Sequence, residues 1–364
     1  LQLAGHRPIA LVGGATGLIG DPRMSGERTL NDKETVASWT DRLRGQIERL
    51  LAFTGDNPAR MVNNLDWTGG LTAIDLLRDI GKHFRLGTML AKDTVARRLA
   101  SEEGISFTEF SYQLLQGMDF LELQRRYGCT LQTGGNDQWG NLLAGVELNR
   151  KADGRAVHVL TTPLITKADG TKFGKSEGGA VWLDAEMLTP YAFYQFWLNT
   201  DDADVVRYLK VFTFRTRTEI AELEEAVAER PHAREAQRAL AADITDLVHG
   251  TEATARVQRA SQALFGRADL HELDAETLRA AVAELPHTQA AVGEDTVVDL
   301  LVASGLAKGR SAARRTIAEG GAYLNNTPVT DEDLVLGAGD LLAGGHVLLR
   351  RGRRNLAVVT TRQE

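Results

Sequence analysis

The chain has 364 residues, of which 43% are hydrophobic and 25% are charged, and its formal net charge is −7 at pH 7. This composition is ordinary for a globular protein and excludes a disordered or collagen-like chain. The acidic balance argues against a chain devoted as a whole to nucleic acid, and the single cysteine, Cys129, excludes an intramolecular disulfide. The apolar runs are too short to cross a bilayer and no secretory leader opens the chain, so we expect a cytoplasmic protein.

The first half of the chain alternates between predicted strands and helices. A buried strand at 8–12 leads into a glycine-rich turn, and the strands expected after it end in polar or glycine residues. Such alternation predicts a doubly wound, Rossmann-like parallel sheet for residues 1–187, an α/β fold in which ligands gather at the carboxyl ends of the strands. The later strands are expected at 61–64, 130–133 and 157–165, and the helices at 32–53, 71–81, 88–103, 111–127 and 138–151.

The second half is predicted to contain an all-helical domain and a small α+β module. Residues 188–287 are rich in Ala, Glu, Arg and Leu with a break at Pro231, and residues 288–296 read as a flexible linker. The tail, 297–364, is locally basic, and a solvated basic face is the simplest interpretation of that charge alone. Its helices are predicted at 297–303 and 311–319, and its strands at 322–324, 328–329 and 346–349.

A loop after Asp169-Gly170 concentrates positive charge. The sequence Lys172-Phe173-Gly174-Lys175-Ser176 places two ammonium groups and a hydroxyl close together, which suits the oxygens of a triphosphate. The loop is not a Walker A motif, because only three residues separate Gly170 from Gly174 where four are required. A solvated surface loop is the alternative interpretation of this motif alone.

The glycine-rich turn at 13–20 invites comparison with a dinucleotide-binding motif. That motif needs an uninterrupted helix after its glycines, and Pro22 and Gly26 interrupt one here. An NAD-dependent oxidoreductase is therefore disfavoured as a function. We expect instead that the glycines let the main chain approach another ligand, with Asp21 projecting a carboxylate into the same space.

Two further motifs carry polar side chains that could bind a ligand. Tyr112, Gln116 and Asp119 follow one face of a predicted helix and present a phenol, an amide and a carboxylate. The sequence 134–141 contains paired glycines beside Asp137 and Gln138 at a strand end, where a backbone can approach a ribose and a carboxylate can bind its hydroxyls. A solvated polar stripe and a simple helix cap are the alternatives for each motif taken alone.

In this order and spacing, the four motifs resemble those of the bacterial tyrosyl-tRNA synthetases, a family of class I aminoacyl-tRNA synthetases. The resemblance implies a ligase of protein biosynthesis that uses ATP with Mg²⁺, binds L-tyrosine and tRNA, and forms a homodimer. It implies that Asp119 accepts the hydrogen bond of the substrate phenol. It also implies that the α-ammonium is held by Tyr112, Gln116 and Asp21, and that Gln138 lies near the substrate carboxylate. The tyrosine pocket would be supported by Asn64 and Gln132. The ATP ribose would be bound by Gly134, Gly135 and Asp137, and the pyrophosphate by Lys172, Lys175 and Ser176.

The resemblance also covers the tail and exposes two departures. The tail resembles a small RNA-binding module, in which Arg310, Arg314 and Arg315 would contact RNA. Family members carry a His-Ile-Gly-His type signature upstream of Leu1, and a polypeptide that truly starts at Leu1 is expected to activate tyrosine weakly. The second departure is Arg23-Met24-Ser25, which follows Asp21-Pro22 where relatives often show a Ser/Thr-Gly-Lys type sequence, so phosphate contacts by Arg23 and Arg28 are left open. A tryptophanyl relative and a noncatalytic RNA-binding protein remain alternatives.

Overall fold

The computed structural model describes residues 1–22, 29–171, 173–176, 179–265, 269–283, 285–352 and 355–361. The chain divides into two compact units, Leu1–Phe173 and Gly174–Glu364. None of the helices in these ranges combines the length and the apolarity that crossing a bilayer requires.

The first unit contains two pairs of parallel strands separated by helices. In one pair Ile9 lies opposite Arg60, and in the other Leu131 lies opposite His158. Parallel strands joined through helices confirm the predicted α/β class, and the glycine-rich turn and the 134–141 motif lie at the carboxyl ends of two of these strands. The strands are β1 (Ile9–Val12), β2 (Arg60–Asn63), β3 (Leu131–Gly135) and β4 (His158–Thr162).

The helices of this unit begin and end where the sequence offers capping residues. The Asp32 side chain accepts a hydrogen bond from the Thr35 amide at the start of the first helix. Ser106 caps the longest helix in the same way, and Gly128, with a φ of 66°, ends it. The helices are α1 (Lys33–Glu48), α2 (Leu65–Thr68), α3 (Ala73–Asp75), α4 (Leu86–Leu90), α5 (Asp93–Leu99), α6 (Phe107–Tyr127) and α7 (Trp139–Asp153), with a π-helical turn at Leu76–Ile80.

The second unit starts with a short hairpin and continues as a helical layer. In the hairpin, β5 (Lys175–Ser176) pairs antiparallel with β6 (Gly179–Ala180). An aromatic cluster around Trp197, which contacts Phe193, Tyr208 and Phe212 edge to face, fills part of the helical core. The helices are α8 (Pro190–Leu198), α9 (Asp202–Phe212), α10 (Arg217–Glu229), α11 (Glu235–His249), α12 (Thr251–Leu264) and α13 (Ala275–Val282).

The chain ends in a small α+β module built on a five-stranded sheet. Its strand order is β7-β11-β10-β8-β9, with β7 and β11 parallel and the other pairs antiparallel. The Asn326 side chain, at a turn with a φ of 66°, donates a 2.6 Å hydrogen bond to the Ala263 carbonyl at the end of α12. The elements are β7 (His287–Ala290), α14 (Val297–Ala303), α15 (Arg310–Ala318), β8 (Ala322–Leu324), β9 (Thr327–Pro328), β10 (His346–Arg351) and β11 (Asn355–Thr361).

Two elements of this module differ from the sequence prediction. The segment 288–296 was expected as a linker, yet its first three residues belong to β7, which pairs with β11. β7 is a polar strand, His-Thr-Gln-Ala, and the strand that it pairs with, β11, is distant in the sequence, so no local pattern marks it. β11 was not predicted at all, although its run of Val and Thr is typical of a strand. The domain boundaries themselves remain predictions.

Candidate active site

Asp119 is a buried carboxylate at the centre of the first unit. Its side chain, on α6, is 2% exposed. Asn64 Nδ2 donates to one carboxylate oxygen at 3.0 Å, and Trp67 Nε1 donates to the other at 2.8 Å. Burial raises the pKa of Asp119 to about 6, while the two hydrogen bonds oppose that rise by stabilising the charged form. At neutral pH this group is a fixed hydrogen-bond acceptor inside the protein.

Asn64 connects this carboxylate to the glycine-rich turn. The Asn64 side chain is 1% exposed, and its Oδ1 accepts a 2.7 Å hydrogen bond from the Ala15 amide. Its Nδ2 also donates to the hydroxyl of Thr16 at 3.0 Å. The preceding residue, Asn63, accepts from the Gly14 amide at 3.2 Å. The end of β2 thus fixes the turn after β1 and orients the carboxylate on α6, and the role of Asn64 in supporting a tyrosine pocket remains a prediction.

Gln116 and Gln132 each present a buried side-chain oxygen. Gln116 lies on α6 about one turn before Asp119, and Gln132 lies on β3. Within the described ranges neither Oε1 atom has a hydrogen-bond partner. A buried oxygen without a donor is costly, so both atoms are acceptors available to a bound ligand or water. Tyr112, two turns before Asp119 on α6, is half-buried.

Asp21 and Gln138 lie within hydrogen-bond distance of each other. Gln138 Nε2 donates to Asp21 Oδ2 at 3.4 Å, and Asn141 Nδ2 donates to Asp21 Oδ1 at 3.2 Å. Asn141 is 1% exposed, and its Oδ1 accepts a 2.6 Å hydrogen bond from Lys92 Nζ. The cluster joins the turn after β1, the start of α7 and the start of α5.

Trp67, Lys92 and Asn141 have side chains in these clusters, and none of them was assigned a role from the sequence. Asn141 ends the 134–141 motif, and that position was the one available signal for it. Trp67 and Lys92 lie in segments without a recognised motif, and each meets its partner across about fifty residues of chain. Only the three-dimensional structure shows that Trp67 and Lys92 contact these clusters.

The residues predicted to bind the ATP ribose lie at the end of β3. Gly134 and Gly135 are half-buried there, and Asp137 is exposed in the following 3-10 turn. A Cβ atom at position 135 would lie 2.5 Å from Asp137 Oδ1, so only glycine allows this carboxylate to fold back over the strand end. The arrangement is compatible with close approach of a ligand, and the assigned roles remain predictions.

The lysine loop is described only in part. Lys172 lies outside the described residues, as do Arg23 and Arg28. Lys175 and Ser176 form β5, with Lys175 opposite Ala180, and they belong to the second unit. Their expected contact with the pyrophosphate therefore remains a prediction.

The three arginines predicted to bind RNA are exposed on the C-terminal module. Arg310 lies 2.6 Å from Asp299, Arg314 lies 3.5 Å from Glu332, and Arg315 lies 4.0 Å from Glu319. The arginine side chains remain 54–75% exposed, and ion pairs of this kind contribute little to stability. Each guanidinium can therefore exchange its carboxylate for a phosphate at small cost.

Comparison with known proteins adds independent information on this chain. A family model of the class I tRNA synthetases (W and Y) matches residues 1–266, and one of the tyrosine–tRNA ligase SYY-like C-terminal domain matches residues 277–359. The chain is 65% identical over 361 residues to the tyrosine–tRNA ligase of Streptomyces griseus, covering 99% of this chain and 85% of that protein. The enzyme of Mycobacterium bovis is 59% identical over 362 residues, with coverages of 98% and 85%.

A solved structure supports the same relationship. A C-terminally truncated mitochondrial tyrosyl-tRNA synthetase of Aspergillus nidulans superposes with a TM-score of 0.62 at 31% identity, covering 71% of this chain and 77% of that chain. The chain therefore belongs to the class I tRNA synthetases of the tryptophan and tyrosine group. Within that class its activity is that of a bacterial tyrosine–tRNA ligase, because nearly the whole chain matches such enzymes and the C-terminal domain matches theirs as well.

Proposed function

We propose that this chain binds L-tyrosine between Asp119 and Asp21, two residues of its first unit, and activates it with ATP. The phenol hydroxyl donates its hydrogen bond to Asp119, and Asn64 and Gln132 support this end of the pocket. Tyr112, Gln116 and Asp21 hold the α-ammonium, and Gln138 lies beside the carboxylate. The observation that carries the proposal is the buried, hydrogen-bonded carboxylate of Asp119, with an unpaired oxygen of Gln116 about one turn earlier on α6.

The chemistry is a displacement at phosphorus. The carboxylate of tyrosine attacks the α-phosphorus of ATP, and the bond to the bridging oxygen breaks, releasing pyrophosphate and leaving tyrosyl adenylate. The nucleophile is already ionised, so the step needs no general base, and catalysis consists of positioning and charge stabilisation. Lys172, Lys175 and Ser176 are the proposed contacts of the departing pyrophosphate, and Gly134, Gly135 and Asp137 those of the ribose. Mg²⁺ enters on the phosphates of ATP as part of the substrate.

The tyrosyl group then moves to a terminal ribose hydroxyl of the tyrosine tRNA. That hydroxyl attacks the mixed anhydride and AMP leaves. We propose that the C-terminal module binds the same tRNA through Arg310, Arg314 and Arg315, since exposed guanidinium groups suit phosphates.

We also propose that the chain acts as a homodimer through the first unit. Ile74, Leu86 and Phe107 are 68%, 65% and 76% exposed there, and a subunit interface that included them would remove their apolar surface from water. Sedimentation at micromolar concentration tests this, and a monomer that stays catalytically active would contradict it.

The test of the proposed site is pyrophosphate exchange across the twenty amino acids. We expect exchange with tyrosine, and we expect Asp119→Ala to lose discrimination between tyrosine and phenylalanine. A buried acceptor that pairs with the phenol rejects an analogue that lacks the hydroxyl, an effect already documented in tyrosyl-tRNA synthetases. Asp66→Ala removes an exposed carboxylate close to Trp67 and serves as the control.

The outcomes of this assay separate the competing functions. Exchange that prefers tryptophan would favour the tryptophanyl type, and no exchange with any amino acid would favour a noncatalytic RNA-binding role. Retained discrimination in Asp119→Ala would remove Asp119 from the phenol site.

A further inference from the structure

Lys92 makes a charged hydrogen bond to a buried amide beside the proposed ammonium site. Its Nζ lies 2.6 Å from Asn141 Oδ1, and Asn141 is 1% exposed. An ammonium group has three donors and no acceptor, so it can pair only with the oxygen of the amide. The bond therefore fixes which end of the Asn141 side chain faces Lys92.

Fixing one end of the amide fixes the other. With its oxygen held by Lys92, Asn141 turns Nδ2 toward Asp21 Oδ1 and Gln138 Oε1, each at 3.2 Å. A flipped amide would place its oxygen against the carboxylate of Asp21, and two acceptors repel. The charge on Lys92 thus ensures that Asp21 receives an N–H group from this side and keeps its carboxylate in one orientation.

The position of Lys92 is built into the fold. Burial lowers the pKa of Lys92, while the negative charge of Asp21 opposes this effect. The lysine stem passes Gly140, where an added Cβ atom would lie only 2.9 Å from Lys92 Cε. A side chain at position 140 would therefore require the end of the lysine stem to shift. Lys92 also lines an apolar groove of about 380 Å³ with Met89 and Leu143, so its chain is packed rather than free in solvent.

We propose that Lys92 is a positioning residue for recognition of the substrate α-ammonium, acting through Asn141 on Asp21 without contacting the substrate. The inference rests on the proposed function, because it takes Asp21 as a partner of the ammonium. It assigns to Lys92 a role in binding one end of tyrosine and no role in binding the phenol.

The experiment compares two ligands in the same protein preparation. L-Tyrosine and 3-(4-hydroxyphenyl)propionate share the phenol and the carboxylate, and only tyrosine carries the ammonium. We expect Lys92→Met to weaken tyrosine binding about tenfold, the loss of roughly one hydrogen bond, and to change the affinity of the propionate less than about twofold. Lys82→Met removes an exposed ammonium from a nearby segment and should change neither affinity.

A double-mutant cycle tests the route through Asn141. If Lys92 acts only by orienting that amide, Lys92→Met combined with Asn141→Leu should bind tyrosine no more weakly than Asn141→Leu alone. Additive losses would show that Lys92 acts independently and would overturn the proposal. Equal losses for tyrosine and the propionate, or no loss for either, would overturn it too. Because the readout is a ratio of two affinities, a partial folding defect does not imitate the expected result.

Asp21→Asn separates this inference from the proposed function. A selective loss of tyrosine binding in Asp21→Asn, without one in Lys92→Met, would sink only the inference. If Asp21→Asn weakens the binding of tyrosine and of the propionate equally, Asp21 does not bind the ammonium. The roles proposed for Asp21 and for Lys92 would then both be wrong.

Discussion

The indole Nε1 of Trp67 donates a 2.8 Å hydrogen bond to Oδ1 of Asp119, and both side chains are buried. This bond leaves Asp119 with one fixed donor from α2 and another from Asn64 at the end of β2. The carboxylate therefore cannot rotate freely, and its remaining lone pairs point in defined directions. An acceptor oriented in advance binds a phenol without first losing its own freedom of movement.

We expect Trp67→Phe to shift the pH dependence of tyrosine activation upward. The pKa of Asp119 is about 6, and the indole hydrogen bond lowers it, so removing that bond raises the pKa further. The ionised form of Asp119 accepts the phenol, so kcat/KM for tyrosine should fall as the pH is lowered through this pKa. In Trp67→Phe the midpoint of that fall should lie about one pH unit higher than in the unchanged protein, which is the effect of losing one hydrogen bond. Pyrophosphate exchange between pH 5 and 8 measures this. Trp39→Phe, at a half-exposed tryptophan, is the control, and an unmoved midpoint would contradict the prediction.

A second prediction concerns the buried ion pair between Arg98 and Glu109. Both side chains are at most 2% exposed, and Arg98 also donates to the Gly104 carbonyl, which holds the loop that leads into α6. Glu109→Ala leaves a buried guanidinium without its carboxylate and should lower the free energy of unfolding by about 3–5 kcal/mol. Chemical denaturation measures the loss. Glu48→Ala breaks an exposed pair with Arg44 and should cost less than about 1 kcal/mol, so equal losses would refute the prediction.

The third prediction tests the lysine loop. If Lys175 neutralises charge on the departing pyrophosphate, Lys175→Ala should lower the rate of adenylate formation about a hundredfold, or about 2.7 kcal/mol in the activation barrier. Single-turnover kinetics with saturating tyrosine and ATP report this step directly. Lys210→Ala, which removes an exposed lysine on α9, should leave the rate unchanged. A normal rate in Lys175→Ala would exclude the role.

The fourth prediction addresses the C-terminal module. Replacing Arg310, Arg314 and Arg315 with Ala should weaken tRNA binding and lower the slope of log affinity against log salt by about 2 to 3, because three phosphate contacts are lost. Tyrosine-dependent pyrophosphate exchange should stay normal, since none of the three arginines is among the proposed contacts of tyrosine or ATP. An unchanged salt dependence would show that the tRNA binds to another surface of the protein. The control replaces three exposed arginines outside the module: Arg44, Arg78 and Arg256.

Sequence patterns predict those parts of the site that depend on local periodicity. The i, i+4 and i+7 spacing of Tyr112, Gln116 and Asp119 places all three on α6, and the glycine turns lie at strand ends as expected. Trp67 and Lys92 were not found, because each acts through a partner brought near only by tertiary packing. The same reason explains β7, whose partner β11 lies near the far end of the chain. Helical periodicity identifies the face of α6 that is proposed to bind tyrosine, whereas the residues that hold its side chains in place lie in distant segments of the sequence.

The hydrogen bond from Asn326 to the Ala263 carbonyl bears on how this chain can be dissected. The same asparagine accepts from Arg350 Nε at 3.3 Å, and the Arg350 guanidinium lies 3.7 Å from the centre of the Tyr323 ring. A cut placed between α12 and α13 would remove the Ala263 carbonyl, and the Asn326 amide of the excised fragment would lose this acceptor. An expression boundary on the N-terminal side of α12 would keep the junction whole and yield the better-behaved piece for crystallisation or RNA titration.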